Sequence, residues 1–171
     1  MVKKILFWLI FLGALIGLVL ILSKNTTNLP EKVLDPEDAT YLIDETPITL
    51  TDGLFEGLVA VDSAAVERWQ ISKKIEGDLN GDTKSDWAVV LYGNTGGTGT
   101  FYYLAAVVGS GESIPAVFVG DRISISSLMI EDGIVKLVYE DRNEGEPLAT
   151  EPTVEKKLLY RLENGELVLE G

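Results

Sequence analysis

The acid-rich stretch "GDLNGDTKSDWAVVL" at residues 77–91 contains the side chains with the clearest potential for chemistry. Oxygen-bearing groups stand at alternate positions, and the candidate metal ligands are Asp78, Asn80, Asp82, Lys84 through its backbone carbonyl, and Asp86. A calcium ion takes six to eight oxygen ligands, and a short loop of this kind can wrap around it. The spacing therefore predicts Ca²⁺ as the one cofactor, held by a loop that leads directly into an apolar strand.

The same side chains have a second interpretation that requires no metal. Asp and Asn accept hydrogen bonds from backbone N–H groups a few residues onward and so cap tight turns. Calcium loops usually carry Gly at the sixth position, where this chain has Thr83, and a β-branched residue tolerates positive φ poorly. An EF-hand is excluded because its twelfth position is Val89 and not Glu. A calcium loop and a self-capping turn both remain open.

The composition excludes several classes of function. The chain has no Cys and no His, which excludes disulfides, thiolate nucleophiles, lipid anchoring through a cysteine, most zinc sites and imidazole-based triads. The net charge is −13, and all 27 acidic residues follow residue 25. A field of that sign repels phosphate, so we predict no nucleic-acid partner. No catalytic or cofactor-binding residue can be named from the sequence.

The first 39 residues predict a targeting signal, a membrane anchor and a linker. Residues 1–4 form a short basic tail, and residues 5–22 are an unbroken apolar run whose helix would rise about 27 Å, close to the thickness of a bilayer core. We expect an uncleaved signal anchor, with a cleaved signal peptide as the alternative. The positive-inside rule then places the N-terminus in the cytoplasm and the remainder outside a single-pass cell membrane protein. Residues 23–39 are polar, contain two prolines and predict a stalk.

From residue 40 the alternation of apolar and polar residues predicts a mainly β fold. We expect a single antiparallel β domain over residues 40–171 with about eight to ten strands; a β-rich α+β fold is the alternative. The continuous apolar runs at 86–92 and 100–108 are typical of central strands buried on both faces. The pairs Asp132-Gly133 and Asn164-Gly165 predict hairpin turns, because such turns need positive φ. Odd positions in 67–75 are mostly apolar, which favours one buried face of a strand over a short helix.

The glycine-rich segment "GNTGGTGT" at 93–100 joins the two apolar runs. No Lys follows it and a strand follows in place of a helix, so a flexible connection is favoured over a phosphate-binding loop. Four neighbouring aromatic residues could line a ligand groove or pack in the core: Tyr92, Phe101, Tyr102 and Tyr103. Their side chains alternate between faces, so at most half can share one surface, and core packing is favoured.

The pattern "GDLNGDTKSDWAVVL", "GTGTFYY" and "GDRI" resembles a domain of uncharacterised bacterial secreted proteins and lipoproteins. The resemblance covers residues 40–162, and in some of those proteins the domain precedes a small META-like domain. The nine residues 78–86 also resemble the aspartate-rich loops of FG-GAP repeats and the first part of dockerin loops. The resemblance implies an extracytoplasmic location and a β fold, and it implies no activity.

Together these observations favour a membrane-anchored, extracytoplasmic binding or interaction module, with calcium as a structural ion at the 78–86 loop. Its partners would be the membrane, through the N-terminal helix, and an envelope component or protein whose identity the sequence does not give. Two alternatives remain open. One is a carboxylate-based hydrolase of the cell envelope, which needs two acids from different strands in one cleft. The other is a purely structural subunit of a membrane complex.

Overall fold

Strands account for almost all the regular structure in the computed structural model, which describes residues 35–59, 62, 64–109, 111 and 113–170. Within these residues the only helical segment is a 3-10 turn at Pro36–Asp38. The strands are β1 (Thr40–Ile43), β2 (Thr46–Thr49), β3 (Leu54–Leu58), β4 (Val66–Gly77), β5 (Asp86–Thr95), β6 (Phe101–Val107), β7 (Ser113–Asp121), β8 (Ser124–Glu131), β9 (Ile134–Asp141), β10 (Val154–Glu163) and β11 (Glu166–Leu169). The predicted mainly β fold is confirmed.

The predicted tail at 1–4, the anchor at 5–22 and all but the end of the linker at 23–39 lie outside the described residues. Among the residues that are described, no helix is long and apolar enough to span a membrane. The end of the predicted linker belongs to the folded domain, because Pro36 is buried and its carbonyl accepts a 2.6 Å hydrogen bond from the Tyr41 hydroxyl.

The strands form a seven-stranded sheet with the order β2-β1-β7-β6-β5-β4-β3 and a four-stranded sheet with the order β11-β10-β9-β8. Neighbouring strands are antiparallel except β1 and β7, which meet in parallel at Leu42 and Pro115. The described region has eleven strands, more than the eight to ten expected. The pattern missed β3, which is short and contains Gly57, and β7, where Pro115 interrupts the alternation.

The seven-stranded sheet curls until its two edge strands approach each other. Strands β2 and β3 lie at opposite ends of the strand order, yet only residues 50–53 connect them. The connection is tight: Thr51 and Leu54 exchange backbone hydrogen bonds of 2.9 and 3.1 Å. The 3-10 turn fastens it, since the Gly53 amide donates to the Glu37 carbonyl at 2.9 Å. The concave face of the sheet is therefore enclosed by its own edges.

Two hydrophobic cores lie on the two faces of this sheet. On the convex face, Ala88, Val90, Leu104 and Ala106 pack against the four-stranded sheet. The concave face holds the second core, whose buried members are Ala39, Tyr41, Ile43, Ile48, Leu50, Trp69, Val89, Leu91, Tyr103, Ala105 and Val107. Successive residues of β5 and β6 thus enter different cores, which confirms that both strands are buried on both faces.

Strand β4 departs from the single buried face that its alternation predicted. Its register against β5 shifts between Ile71 and Lys73, as a β-bulge does. The extra residue reverses the facing of every side chain beyond it. Trp69 and Ile71 accordingly pack in the concave core, whereas Ile75 packs in the core between the sheets.

Gly93 allows β4 and β5 to approach closely beside Trp69. A Cβ atom at this position would collide with the Arg68 carbonyl oxygen and lie 2.5 Å from Trp69 Cε3. We predict that Gly93→Ala lowers the free energy of unfolding by about 2–3 kcal/mol, because a filled core must shift backbone to accept new atoms. Urea unfolding measures this, with Gly97→Ala as the control, since a Cβ there meets nothing within 4 Å. Equal effects of the two substitutions would contradict the close packing.

Candidate ligand groove and aspartate loop

A groove of ≈ 500 Å³ opens at one end of the curled sheet, beside the β1–β2 turn. Strands β4, β6 and β7 contribute its aromatic wall: Trp69, Phe101, Tyr103 and Phe118. Ile43 and Ile48 from the β1–β2 hairpin form the facing side. The groove is therefore the open end of the concave core, and its wall continues directly into the packed interior.

The rings stand at open angles to one another. Phe118 and Tyr103 have centroids 5.3 Å apart and planes 65° apart, and Phe118 and Phe101 are 6.5 Å apart at 55°. Trp69 lies behind Tyr103 in an edge contact at 5.5 Å and 77°. Trp69 is only 2% exposed while Phe118 is 51% exposed, so the aromatic wall has a buried base at Trp69 and an accessible rim at Phe118.

Two carboxylates complete the groove, and each accepts a hydrogen bond from one of its aromatic side chains. The Tyr103 hydroxyl donates to Asp44 Oδ2 at 2.6 Å, and the Trp69 indole Nε1–H donates to Glu67 Oε1 at 2.7 Å. Burial raises the pKa of Tyr103, and its bond to the Asp44 carboxylate raises that pKa further. The tyrosine therefore stays a neutral donor at physiological pH.

The β1–β2 turn holds Asp44 beside Tyr103, and its two central residues adopt positive φ. Asp44 and Glu45 have φ values of 46° and 65°, which glycine and asparagine adopt far more readily than glutamate. The two turns predicted from Asp-Gly and Asn-Gly pairs, at 132–133 and 164–165, also have two consecutive residues at positive φ. The groove-side turn thus has Glu45 at the position where the other two hairpins have Gly.

The glycine-rich segment is fastened at the rim of the groove. Asp121 Oδ1 accepts the Thr100 amide at 2.9 Å, and the Arg122 guanidinium donates to the Thr98 carbonyl at 2.8 Å. Thr95, at the start of this segment, lines the groove. The acid and the base of "GDRI" therefore act as loop caps.

The predicted metal loop lies at the opposite end of β5, which begins at Asp86 and ends at Thr95. Its exposed half is a self-capping turn. Asp78 accepts the amides of Gly81 and Thr83 at 2.7 and 2.9 Å. Asn80 accepts the Asp82 amide at 2.9 Å, and Asp82 accepts the Lys84 amide at 2.8 Å. The capping bonds expected of the second interpretation are present.

Asp86 has a different role from the three residues before it. Its side chain is fully buried, and its two oxygens accept the Leu79 amide at 2.9 Å and the Gly109 amide at 2.7 Å. It therefore joins the loop to the β6–β7 connection. Burial removes Asp86 from the surface of the loop, so Asp78 and Asp82 are the acids on its more exposed part.

The loop fits a calcium ion only with a reduced set of ligands. Across the described part of the chain, no group of three or more acidic side chains is close enough to hold a metal. Asp78, Asn80, Asp82 and the Lys84 carbonyl could still supply oxygen. Thr83 has a φ of 67°, so it adopts the positive φ that calcium loops usually assign to glycine. Calcium binding stays a prediction.

The sequence indicated two of the four residues of the aromatic wall. Phe101 and Tyr103 line it, whereas Tyr92 and Tyr102 stack on each other at 5.9 Å on the other face, as the alternation required. No local pattern in the sequence distinguished Asp44 or Phe118. Asp44 and its partner Tyr103 are 59 positions apart, and only the curling of the sheet brings them together.

No protein-family model, curated protein or solved structure matches this chain.

We predict that Asp86→Asn lowers the free energy of unfolding by about 2–3 kcal/mol. The amide would accept only one of the two buried N–H groups and would turn its own NH₂ toward the other. Urea unfolding at neutral pH measures the loss, and Asp82→Asn is the control, because Asp82 lies on the exposed part of the loop. A loss below 1 kcal/mol for Asp86→Asn would contradict the clamp.

Proposed function

We propose that this chain is a membrane-anchored, extracytoplasmic binding module whose ligand site is the groove between the β1–β2 turn and the aromatic wall. One observation supports the proposal above the others: a cavity of ≈ 500 Å³ combines four aromatic side chains with two oriented carboxylates. Sites for small molecules have this size and composition, apolar walls with a few fixed polar groups. The anchor itself is proposed from residues 1–24 of the sequence.

The walls of the groove are suited to binding without rearrangement. Trp69 and Tyr103 belong to the concave core, and their polar atoms are fixed by hydrogen bonds to Glu67 and Asp44. A preformed site spends little free energy on ordering side chains when a ligand enters. Phe118 is the exposed member and provides the surface that a ligand would cover.

A carboxylate-based hydrolase is the second candidate, because Asp44 and Glu67 line the same groove. Acid–base catalysis by two carboxylates needs one of them to act as a proton donor and the other as a base or nucleophile. Here each carboxylate already accepts a hydrogen bond from an aromatic side chain, which fixes both as acceptors in the wall of the groove. Binding is therefore the better-supported function.

The proposal predicts that small organic compounds bind near Trp69. The full chain, ¹⁵N-labelled and purified in dodecyl maltoside, is titrated with a fragment library of neutral, anionic and cationic compounds. We expect some fragments to shift the indole N–H resonance of Trp69 but not that of Trp87, which lies at the far end of β5 beneath the Lys74 ammonium, 5.7 Å from its ring.

Phe118→Ala should weaken these shifts, because it removes the exposed ring of the wall. Leu169→Ala is the matched control, since Leu169 is 52% exposed on β11 of the other sheet. If no fragment of any charge shifts Trp69, or if Trp69 and Trp87 respond alike, the groove is not a ligand site.

We also propose that a calcium ion binds weakly at the 78–86 loop and stabilises the domain. With the buried Asp86 carboxylate directed at backbone amides, water must complete the coordination, so we expect a Kd of about 10⁻⁴ M. A hundredfold excess of Ca²⁺ would then add about 2.7 kcal/mol to the free energy of unfolding. The melting temperature in 10 mM CaCl₂ should exceed that in EDTA by several degrees.

Asp82→Ala should abolish the shift, and Glu144→Ala, in the exposed β9–β10 connection, should retain it. Sodium chloride at equal ionic strength controls for screening. An unchanged melting temperature in the wild-type chain would leave capping as the only role of the loop.

A further inference from the structure

We infer that the groove binds a small organic ammonium cation. The inference rests on the proposed function and specifies the chemical class of its ligand. Three features of the groove support it: the arrangement of the rings, the direction in which their polar groups point, and the charge of the lining.

Three aromatic rings line the groove side by side. Phe101 and Tyr103 come from β6 and Phe118 from β7, and the Phe118 ring lies 6.5 Å from Phe101 at 55° and 5.3 Å from Tyr103 at 65°. Aromatic faces carry negative electrostatic potential and attract a cation within about 6 Å of the ring centroid. The three rings line one cavity, so an alkylated ammonium ion seated there would meet several aromatic surfaces at once.

The hydrogen bonds in the groove strengthen its attraction for a cation. Tyr103 donates its hydroxyl proton to Asp44, and Trp69 donates its indole proton to Glu67. Donation toward a carboxylate moves electron density into each ring. It also consumes the two aromatic donors that would otherwise recognise a carboxylate or phosphate. A ligand in the groove therefore meets the π-faces of the aromatic wall and the carboxylate oxygens of Asp44 and Glu67.

The charge of the lining points the same way. Asp44 and Glu67 are the ionisable acids of the groove, and none of the described residues that line it is Lys or Arg. An anionic ligand would have to leave water for an acidic, aromatic surface without a compensating positive charge. A cation gains from both carboxylates, and the net charge of −13 favours its approach.

The test compares choline with 3,3-dimethylbutan-1-ol, which has the same shape with a carbon in place of the charged nitrogen. Each is titrated into the ¹⁵N-labelled full chain in dodecyl maltoside, and the Trp69 indole resonance is followed. We expect the Kd of choline to be lower than that of the neutral alcohol by about tenfold, the range of a cation–π contact reinforced by a carboxylate.

Two substitutions locate the effect. Asp44→Asn removes the charge but keeps an oxygen for the Tyr103 hydroxyl, so it should raise the Kd of choline several-fold and leave that of the alcohol unchanged. Asp132→Asn is the matched control: Asp132 is also exposed, at positive φ in a hairpin turn, but lies between β8 and β9. It should change neither Kd.

The possible sources of the ammonium group are separated by a third probe, glycerophosphocholine. We expect it to bind more weakly than choline because its phosphate faces the carboxylates. If glycerophosphocholine binds more tightly than choline, the ligand is still an ammonium cation, and its source is a lipid headgroup. Equal affinities for choline and the neutral alcohol, or an equal loss in Asp44→Asn and Asp132→Asn, would overturn the inference. A fragment that shifts Trp69 would then still support the binding function, whereas no shift by any compound would remove both.

Discussion

The short connection between β2 and β3 is the constraint on which the rest of the structure depends. These strands are the two edges of a seven-stranded sheet, and four residues join them. The sheet must therefore curl, and its concave face becomes a second hydrophobic core in place of a solvated surface. Tyr41, Leu50 and Trp69 are almost completely buried in that core, although none of them contacts the sheet-to-sheet interface. The burial of this apolar surface is the main stabilising contribution of the curl.

The curl also leaves the enclosed core with one closed end and one open end. At one end, the 3-10 turn at residues 36–38 caps the core through hydrogen bonds from Tyr41 and Gly53, and Lys74 forms an ion pair with Glu37 at 2.7 Å. At the other end no comparable segment covers the described core, and the aromatic wall meets solvent there as the groove. The aspartate loop lies at the first end and the groove at the second. The loop can therefore stabilise the fold without taking part in binding.

Local patterns predicted much of the secondary structure. Continuous apolar runs identified β5 and β6 as central strands, and Asp-Gly and Asn-Gly pairs identified the turns at 132–133 and 164–165, because both signals depend on residues adjacent in sequence. The bulge in β4 was not predictable in this way. Its register shift depends on the partner strand, and it sends Ile71 and Ile75 into different cores although they are four residues apart.

The two candidate sites differ in the same respect. The loop at 78–86 was visible in the sequence because its residues are neighbours, and the structure adds the distinction between the exposed Asp82 and the buried Asp86. The groove was only partly visible, as an aromatic pair at 101 and 103. The carboxylates of the groove could not be identified among the 27 acidic residues, because no local pattern distinguishes Asp44 from the others. Long-range pairing of strands gives these two acids their role.

The most direct test of the account is a measurement of intermolecular nuclear Overhauser effects between the methyl protons of bound choline and the ring protons of the full chain. The account predicts contacts to Phe101, Tyr103 and Phe118 together, because these three residues line one cavity at the open end of the concave core. Contacts confined to aromatic residues outside the groove, such as Tyr92 or Trp87, would contradict it. The absence of any contact at saturating choline would do the same.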